Sequence, residues 1–211
     1  MADNAVFPHT ITLAMTGASG AAYGLRLLEC LLQAQRRVYF LISDAARTVV
    51  KMEMGIELPS GTEALENFLA QRCNAQPGQL HVFGNMDWLA PPASGTGGKI
   101  PMIICPASGG VISAIATGAS TNLVQRAADV AIKEKRPLIL VPREMPASAI
   151  HLENQLKLAQ LGATIMPASP GFYQNPRSLD DIIDFVVARI LDQLDIPHTL
   201  LAKWGSKGKD E

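Results

Sequence analysis

Two runs of small residues, far apart in the chain, could each hold an anion on backbone N–H groups: Thr16-Gly-Ala-Ser-Gly20 and Pro106-Ala-Ser-Gly-Gly-Val111. Each follows a short apolar stretch with the pattern of a buried strand, residues 11–15 and 101–105, and each leads into a helical pattern. Unpaired amides at the start of a helix, with the positive end of its dipole, attract anions, so a phosphate is the natural guest of the first turn. Gly17 and Gly20 allow a tight turn, and Ser19 adds a hydroxyl. The run matches the dinucleotide-binding fingerprint only in part, with Ser19 at the third position and Ala22 at the sixth. The same residues also suit a strand-to-helix turn that needs small side chains only for packing.

The remaining candidates are charged or aromatic residues near predicted strand and helix ends. Arg126 and Lys133 are seven apart, about two helical turns, and so share a face. Arg143 and Glu144 lie between Pro142 and Pro146 just after an apolar run, where the arginine can fork onto phosphate and the glutamate can exchange a proton. They could equally pair with each other. Arg189 interrupts the apolar stretch Phe185-Val-Val-Ala-Arg-Ile-Leu191, and either meets an anionic partner or extends to solvent. Glu53 is a second acid, and Trp88 and Tyr173 are aromatics in loops. His151, near a helix start, reads as a cap or packing residue.

Several chemistries are excluded. Lys and Arg total 18 against 19 acids, so nothing draws the whole molecule to nucleic acid or an anionic membrane, and a positive site must be local. So many cations at element ends in a near-neutral protein point to phosphorylated ligands. Ser19 has Ala21 where a nucleophile elbow needs glycine, and His9, His81, His151 and His198 lack metal-ligand spacing, so no metal is expected. The three cysteines, Cys30, Cys73 and Cys105, form no paired motif and fit a reducing cytoplasm. No basic leader and no run of about 18 apolar residues is present, so a soluble, unexported, cytoplasmic protein is expected.

The elements that must position these residues alternate. Strands are expected over 11–15, 38–42, 80–83, 101–105, 138–141 and 162–166, with helices over 21–34, 44–52, 62–72, 112–117, 122–134, 150–161 and 178–194. This alternation predicts an α/β fold: an open parallel sheet of five or six strands with helices on both faces, three layers in all. The chain reads as a single domain over residues 1–211, with a polar tail from about Lys203 in which Trp204 could dock on a neighbour. The proline- and glycine-rich stretch 87–98 is expected to be a constrained functional loop, or else a packing loop.

Five motifs in order, Thr16-Gly-Ala-Ser-Gly20, Asp87-Trp-Leu-Ala-Pro-Pro-Ala-Ser-Gly95, Asn122-Leu-Val-Gln-Arg-Ala-Ala-Asp-Val130, Pro137-Leu-Ile-Leu-Val-Pro-Arg-Glu-Met-Pro146 and Pro170-Gly-Phe-Tyr173, resemble the flavin prenyltransferase family, UbiX and its relatives, of the flavoprotein superfamily. The resemblance implies a flavodoxin-like or Rossmann-like fold, commonly a homo-dodecamer, with FMN between subunits. It implies transfer of a dimethylallyl group from dimethylallyl phosphate to N5 and C6 of reduced FMN without a metal, the prenylated FMN going to a UbiD-type decarboxylase.

By matching positions, Gly17, Ala18, Ser19, Ser43, Ser108, Gly109, Gly110, Val111 and Arg143 would contact FMN. Ser94, Arg126, Lys133, Arg143, Tyr173 and Arg189 would hold the dimethylallyl phosphate, with Arg126 from the same or a neighbouring subunit. Glu53 and Glu144 would move protons beside Ser19, and Trp88 would wall the prenyl pocket. Many relatives carry Cys-Pro-Cys-Ser, a further residue and threonine; Ala107 and Val111 here remove a thiol and a hydroxyl. The alternatives are an FMN carrier without catalysis and an FMN-dependent decarboxylase of the same fold, whose catalytic histidine and clamping cysteine loop have no counterpart here. A dehydrogenase with Asp44 on a ribose is disfavoured, since Gly17 to Asp44 spans more than the usual ~20 residues.

Overall fold

The computed structural model describes residues 7 and 9–201; the polar tail and Trp204 lie outside the described residues. Six strands form one sheet in the order β3-β2-β1-β4-β5-β6, every neighbouring pair parallel. They are β1 (Thr10–Met15), β2 (Arg37–Ile42), β3 (Leu80–Val82), β4 (Met102–Ala107), β5 (Leu138–Pro142) and β6 (Thr164–Ile165). Between and after them run α1 (Ala21–Gln33), α2 (Asp44–Met54), α3 (Thr62–Arg72), α4 (Gly109–Ala116), α5 (Leu123–Lys133), α6 (Ala149–Gln160) and α7 (Leu179–Asp192). The three-layer α/β architecture is the expected one.

The two faces of the sheet carry separate cores, which is why the strands read as continuous apolar runs rather than alternating ones. Along β1, Ile11, Leu13 and Met15 join the cluster built with α1, α3 and α7, while Ala14 points to the cluster built with α4 and α5. β4 divides likewise, Ile103 and Cys105 to the first and Met102 and Ile104 to the second. On α1 the expected stripe of Leu25, Leu28 and Leu32 is buried, and so are Leu27 and Leu31.

The departures from the sequence reading are local. β4 runs on through Pro106 to Ala107, and α4 starts at Gly109 rather than 112, because Ser108 supplies an N-cap by accepting the Val111 N–H. The loop over 87–98 contains a 3-10 turn, Pro91–Ala93, packed on α5 with Pro92 and Ala93 buried. No helix among the described residues is long and apolar enough to cross a membrane.

Candidate functional site

All strands run the same way, and the chain winds outward from β1 in one direction through β2 and β3, then in the other through β4, β5 and β6. The crevice at the carboxyl ends of β1 and β4 is therefore where an open α/β sheet takes a ligand. Both small-residue turns open into it.

Thr16 joins the two turns. Its buried hydroxyl donates to the Pro106 carbonyl at 2.9 Å and accepts the Ser108 N–H at 2.8 Å. No sequence signal marks this role, since a threonine at a strand end is ordinary. Thr16→Val keeps the shape but leaves the Ser108 N–H without its acceptor, so urea unfolding should show a loss of about 1–3 kcal/mol. A variant as stable as the parent would mean that the bond is dispensable.

The first turn holds a carboxylate of the chain itself where a phosphate was expected. Glu53, in the last turn of α2, accepts the Gly20 N–H at 3.0 and 3.2 Å and the Ala21 N–H at 2.9 Å. The amides and helix dipole that suit phosphate suit a carboxylate equally. Burial would raise the Glu53 pKa, but the hydrogen bonds from Ser19, Ala21 and Gly20, with the charge of Arg143, outweigh it and hold the carboxyl below its ordinary range. Gly17 is required by close approach, since a Cβ there would lie 2.5 Å from the Ala45 Cβ. Ser43 caps α2 by accepting the Ala46 N–H, and its own N–H donates to the Met15 carbonyl.

At the second turn, the Gly109 N–H donates to Glu144 Oε1 at 3.3 Å. A Cβ on Gly109 would lie 2.9 Å from His151 Nε2 and 3.1 Å from Glu144 Oε1, so a side chain there would push these two side-chain ends aside. His151 caps α6 as read from sequence, its Nδ1 accepting the Ser148 N–H. Gly110 faces open space, and Val111, in the first turn of α4, donates its N–H to the Ser108 cap. The Arg143–Glu144 doublet is divided between the turns: Arg143 Nε donates to the Ser19 carbonyl at 3.4 Å, while Glu144 meets Gly109. The crevice thus gathers Gly17, Ala18, Ser19, Ser43, Glu53, Ser108, Gly109, Gly110, Val111, Arg143 and Glu144.

Lys133 and Ser94 stand at the other edge of the sheet. α5 ends just before β5 begins, at the amino edge of the sheet, so Lys133 is separated from Glu144 by the five residues of β5, about 16 Å of strand rise. Ser94 is held beside Lys133: the buried Arg136, missed in the sequence, donates from Nη2 to the Ser94 and Gly95 carbonyls at 3.0 and 2.6 Å. A Cβ on Gly95 would lie 3.6 Å from Lys133 Nζ. Lys133 pairs with Glu134 and Arg126 with Asp129. Trp88 is 44% exposed.

Tyr173 is also exposed, its ring edge-on to Phe185 of α7 at 5.6 Å between centroids. Arg189 follows Phe185 by four residues and so lies on the same helix face. It is half exposed and pairs with Asp192 at 2.6 Å, so its expected anionic partner within the chain is a carboxylate one turn on.

Burial pushes the thiols of Cys30 and Cys73 up to about 11 and that of Cys105 higher, leaving no thiolate for nucleophilic work at neutral pH. Among the described residues no group of three or more His, Cys, Asp or Glu side chains converges as a metal site would.

A model of the flavoprotein family matches residues 4–191. The chain is 59% identical to the flavin prenyltransferase UbiX of Pseudomonas aeruginosa over 200 residues, 95% of this chain and 96% of that one. Its structure is similar to AnUbiX (PadA1) in complex with FMN and dimethylallyl pyrophosphate, with a TM-score of 0.82, 36% identity, and coverage of 93% of this chain and 97% of that one. It is also similar to a dodecameric FMN-dependent UbiX-like decarboxylase from Escherichia coli O157:H7, with a TM-score of 0.79, 36% identity, and coverage of 92% and 98%.

Proposed function

Because this chain belongs to the flavoprotein family, as a flavin prenyltransferase that uses FMN, we propose that its own residues divide the work between an acid-lined flavin crevice and cations brought to it by neighbouring copies. The crevice suits FMN chemically. Ser43 and Ser108 use their oxygens as caps and keep their O–H groups to donate, Arg143 can fork onto an anion, and the space beside Gly110 is open. When bound, reduced FMN supplies the nucleophilic N5 and C6.

The observation that carries the reading is the pair of carboxylates, Glu53 and Glu144, held on backbone amides of two adjacent helix starts across the β1–β4 crevice. Breaking the allylic C–O bond of dimethylallyl phosphate leaves a phosphate and a delocalised cation. Arg126, Lys133, Arg143, Tyr173 and Arg189, with Ser94, hold the phosphate and stabilise its growing charge. Ser19 and Glu53 move a proton toward it. The Trp88 ring walls the prenyl group, where its face favours the cation. For the second bond the double bond of the attached prenyl group takes up a proton, leaving the carbocation that C6 attacks, and Glu144 would take the proton that C6 then loses.

One chain keeps its acids at the carboxyl edge of the sheet and Lys133 and Ser94 at the amino edge. The complete site is therefore assembled between copies, and the homo-dodecamer is the assembly proposed. The exposed apolar side chains of Leu89, Met145, Ile150, Leu152, Leu156 and Phe172 give the copies surface to bury. The product serves a UbiD-type decarboxylase in the cytoplasm.

Anaerobic incubation of the protein with reduced FMN and dimethylallyl monophosphate, then mass analysis of the flavin, tests the reading: an added prenyl mass is expected. Unchanged flavin on a protein that binds it tightly would favour a carrier. In the same assay Ser19→Ala should impair transfer more than FMN binding. Equal loss of both would reduce the first turn to a flavin cradle.

A further inference from the structure

After α7 the chain turns back on itself, the Ile196 N–H donating to the Leu191 carbonyl, and this brings His198 onto the helix's last turn. His198 Nε2 lies 3.0 Å from Asp192 Oδ1, and the other oxygen, Oδ2, accepts from Arg189 Nη1 at 2.6 Å. The three residues form a line, His198–Asp192–Arg189, that ends on the face of α7 shared with Phe185 and its neighbour Tyr173.

Neither stability nor packing accounts for this line. The Arg189–Asp192 pair is about half exposed on both sides, the setting in which ion pairs contribute little to folding. His198 is mostly buried, 13% exposed in its side chain, and its Nδ1 is buried with no hydrogen-bond partner among the described residues. A stranded polar atom costs stability, and an apolar side chain of similar size would avoid that cost. The ring is placed so that its other nitrogen reaches Asp192. With Nδ1 facing no acceptor, the proton belongs on Nε2, which donates to the carboxylate. Both Asp192 oxygens are then engaged, and a carboxylate fixed at both ends fixes the guanidinium it holds. Among the described residues only Nη1 is used, which leaves Nε and Nη2 in a set direction for a second anion.

We propose that His198 and Asp192 are positioning residues that pre-orient Arg189 for the phosphate of the allylic substrate. The inference rests on the reading that Arg189 binds that phosphate. An arginine whose rotamers are already restricted loses less entropy on binding, so the gain appears in substrate affinity rather than in the chemical step.

Steady-state prenylation on the intact assembly, with saturating reduced FMN and varied dimethylallyl monophosphate, tests this. His198→Leu should raise KM for the allylic phosphate about three- to tenfold, with kcat, FMN affinity and melting temperature near those of the parent. His198→Gln, which can still donate to Asp192, should restore most of the KM, and Asp192→Asn should raise it as His198→Leu does. A fall in melting temperature with parallel loss of FMN binding would reduce His198 to a packing residue and overturn the proposal, as would an unchanged KM in His198→Leu. Arg189→Met is the control on the premise. If it leaves KM unchanged, Arg189 does not bind the phosphate; if it raises KM while the His198 and Asp192 variants do not, the positioning role alone fails.

Discussion

Glu144→Gln is expected to lower formation of fully cyclised prenylated flavin by about 10²–10⁴-fold while FMN still binds, the range lost with a general base. The substitution is selective because of what Glu144 touches. Its Oε1 accepts the Gly109 N–H, and a glutamine oxygen can accept the same bond, so the second turn and the start of α4 keep their shape. What disappears is the capacity to take a proton. Chromatography of the released flavin with absorbance detection separates cyclised product from unreacted FMN. Normal amounts of cyclised product would remove Glu144 from the proton pathway.

Glu53→Gln is expected to be nearly as damaging, about 10²-fold in rate, and to change acid stability as well. The carboxylate accepts from two amides of the α1 start and from Ser19, whereas glutamine has one oxygen and must turn an NH₂ group toward donors. The pH effect has a definite sign. A carboxyl held below its ordinary value stabilises the fold fully above about pH 4.3, the unfolded value, and loses that contribution as pH falls through the lower folded value. The glutamine variant has nothing to lose in that window. The melting-temperature gap between parent and variant should therefore narrow on acidification from neutral pH to below 4.3. A gap that stays constant would mean that the charge on Glu53 does not hold the turn.

Much of the fold was legible because strands buried on both faces and helices with one apolar stripe leave different periods in the sequence. The α3 boundaries, Thr62–Arg72, and the Asn122 cap of α5 were read directly, since capping residues and apolar spacing are local signals. α4 starts three residues earlier than the apolar spacing predicts, because Gly109 and Gly110 have the composition of a loop and are helical only under the Ser108 cap. The Arg143–Glu144 doublet was recognised as unusual, yet sequence could not say whether its members pair with each other; the two turns they reach are 124 and 35 residues away.

The three-layer parallel sheet, the two small-residue turns and the family follow from the residues alone, because these depend on short-range pattern and on residue types at fixed spacing. What fills and joins those turns comes from the packed fold, Glu53 across the start of α1 and Thr16 between Pro106 and Ser108, and so do Arg136 under Ser94 and His198 against Asp192. Each is a hydrogen bond between ordinary residue types brought together by the path of the chain. A carboxylate meets an amide by proximity, and proximity across 32 or 90 residues is a property of the packed sheet, with no local signature in the sequence.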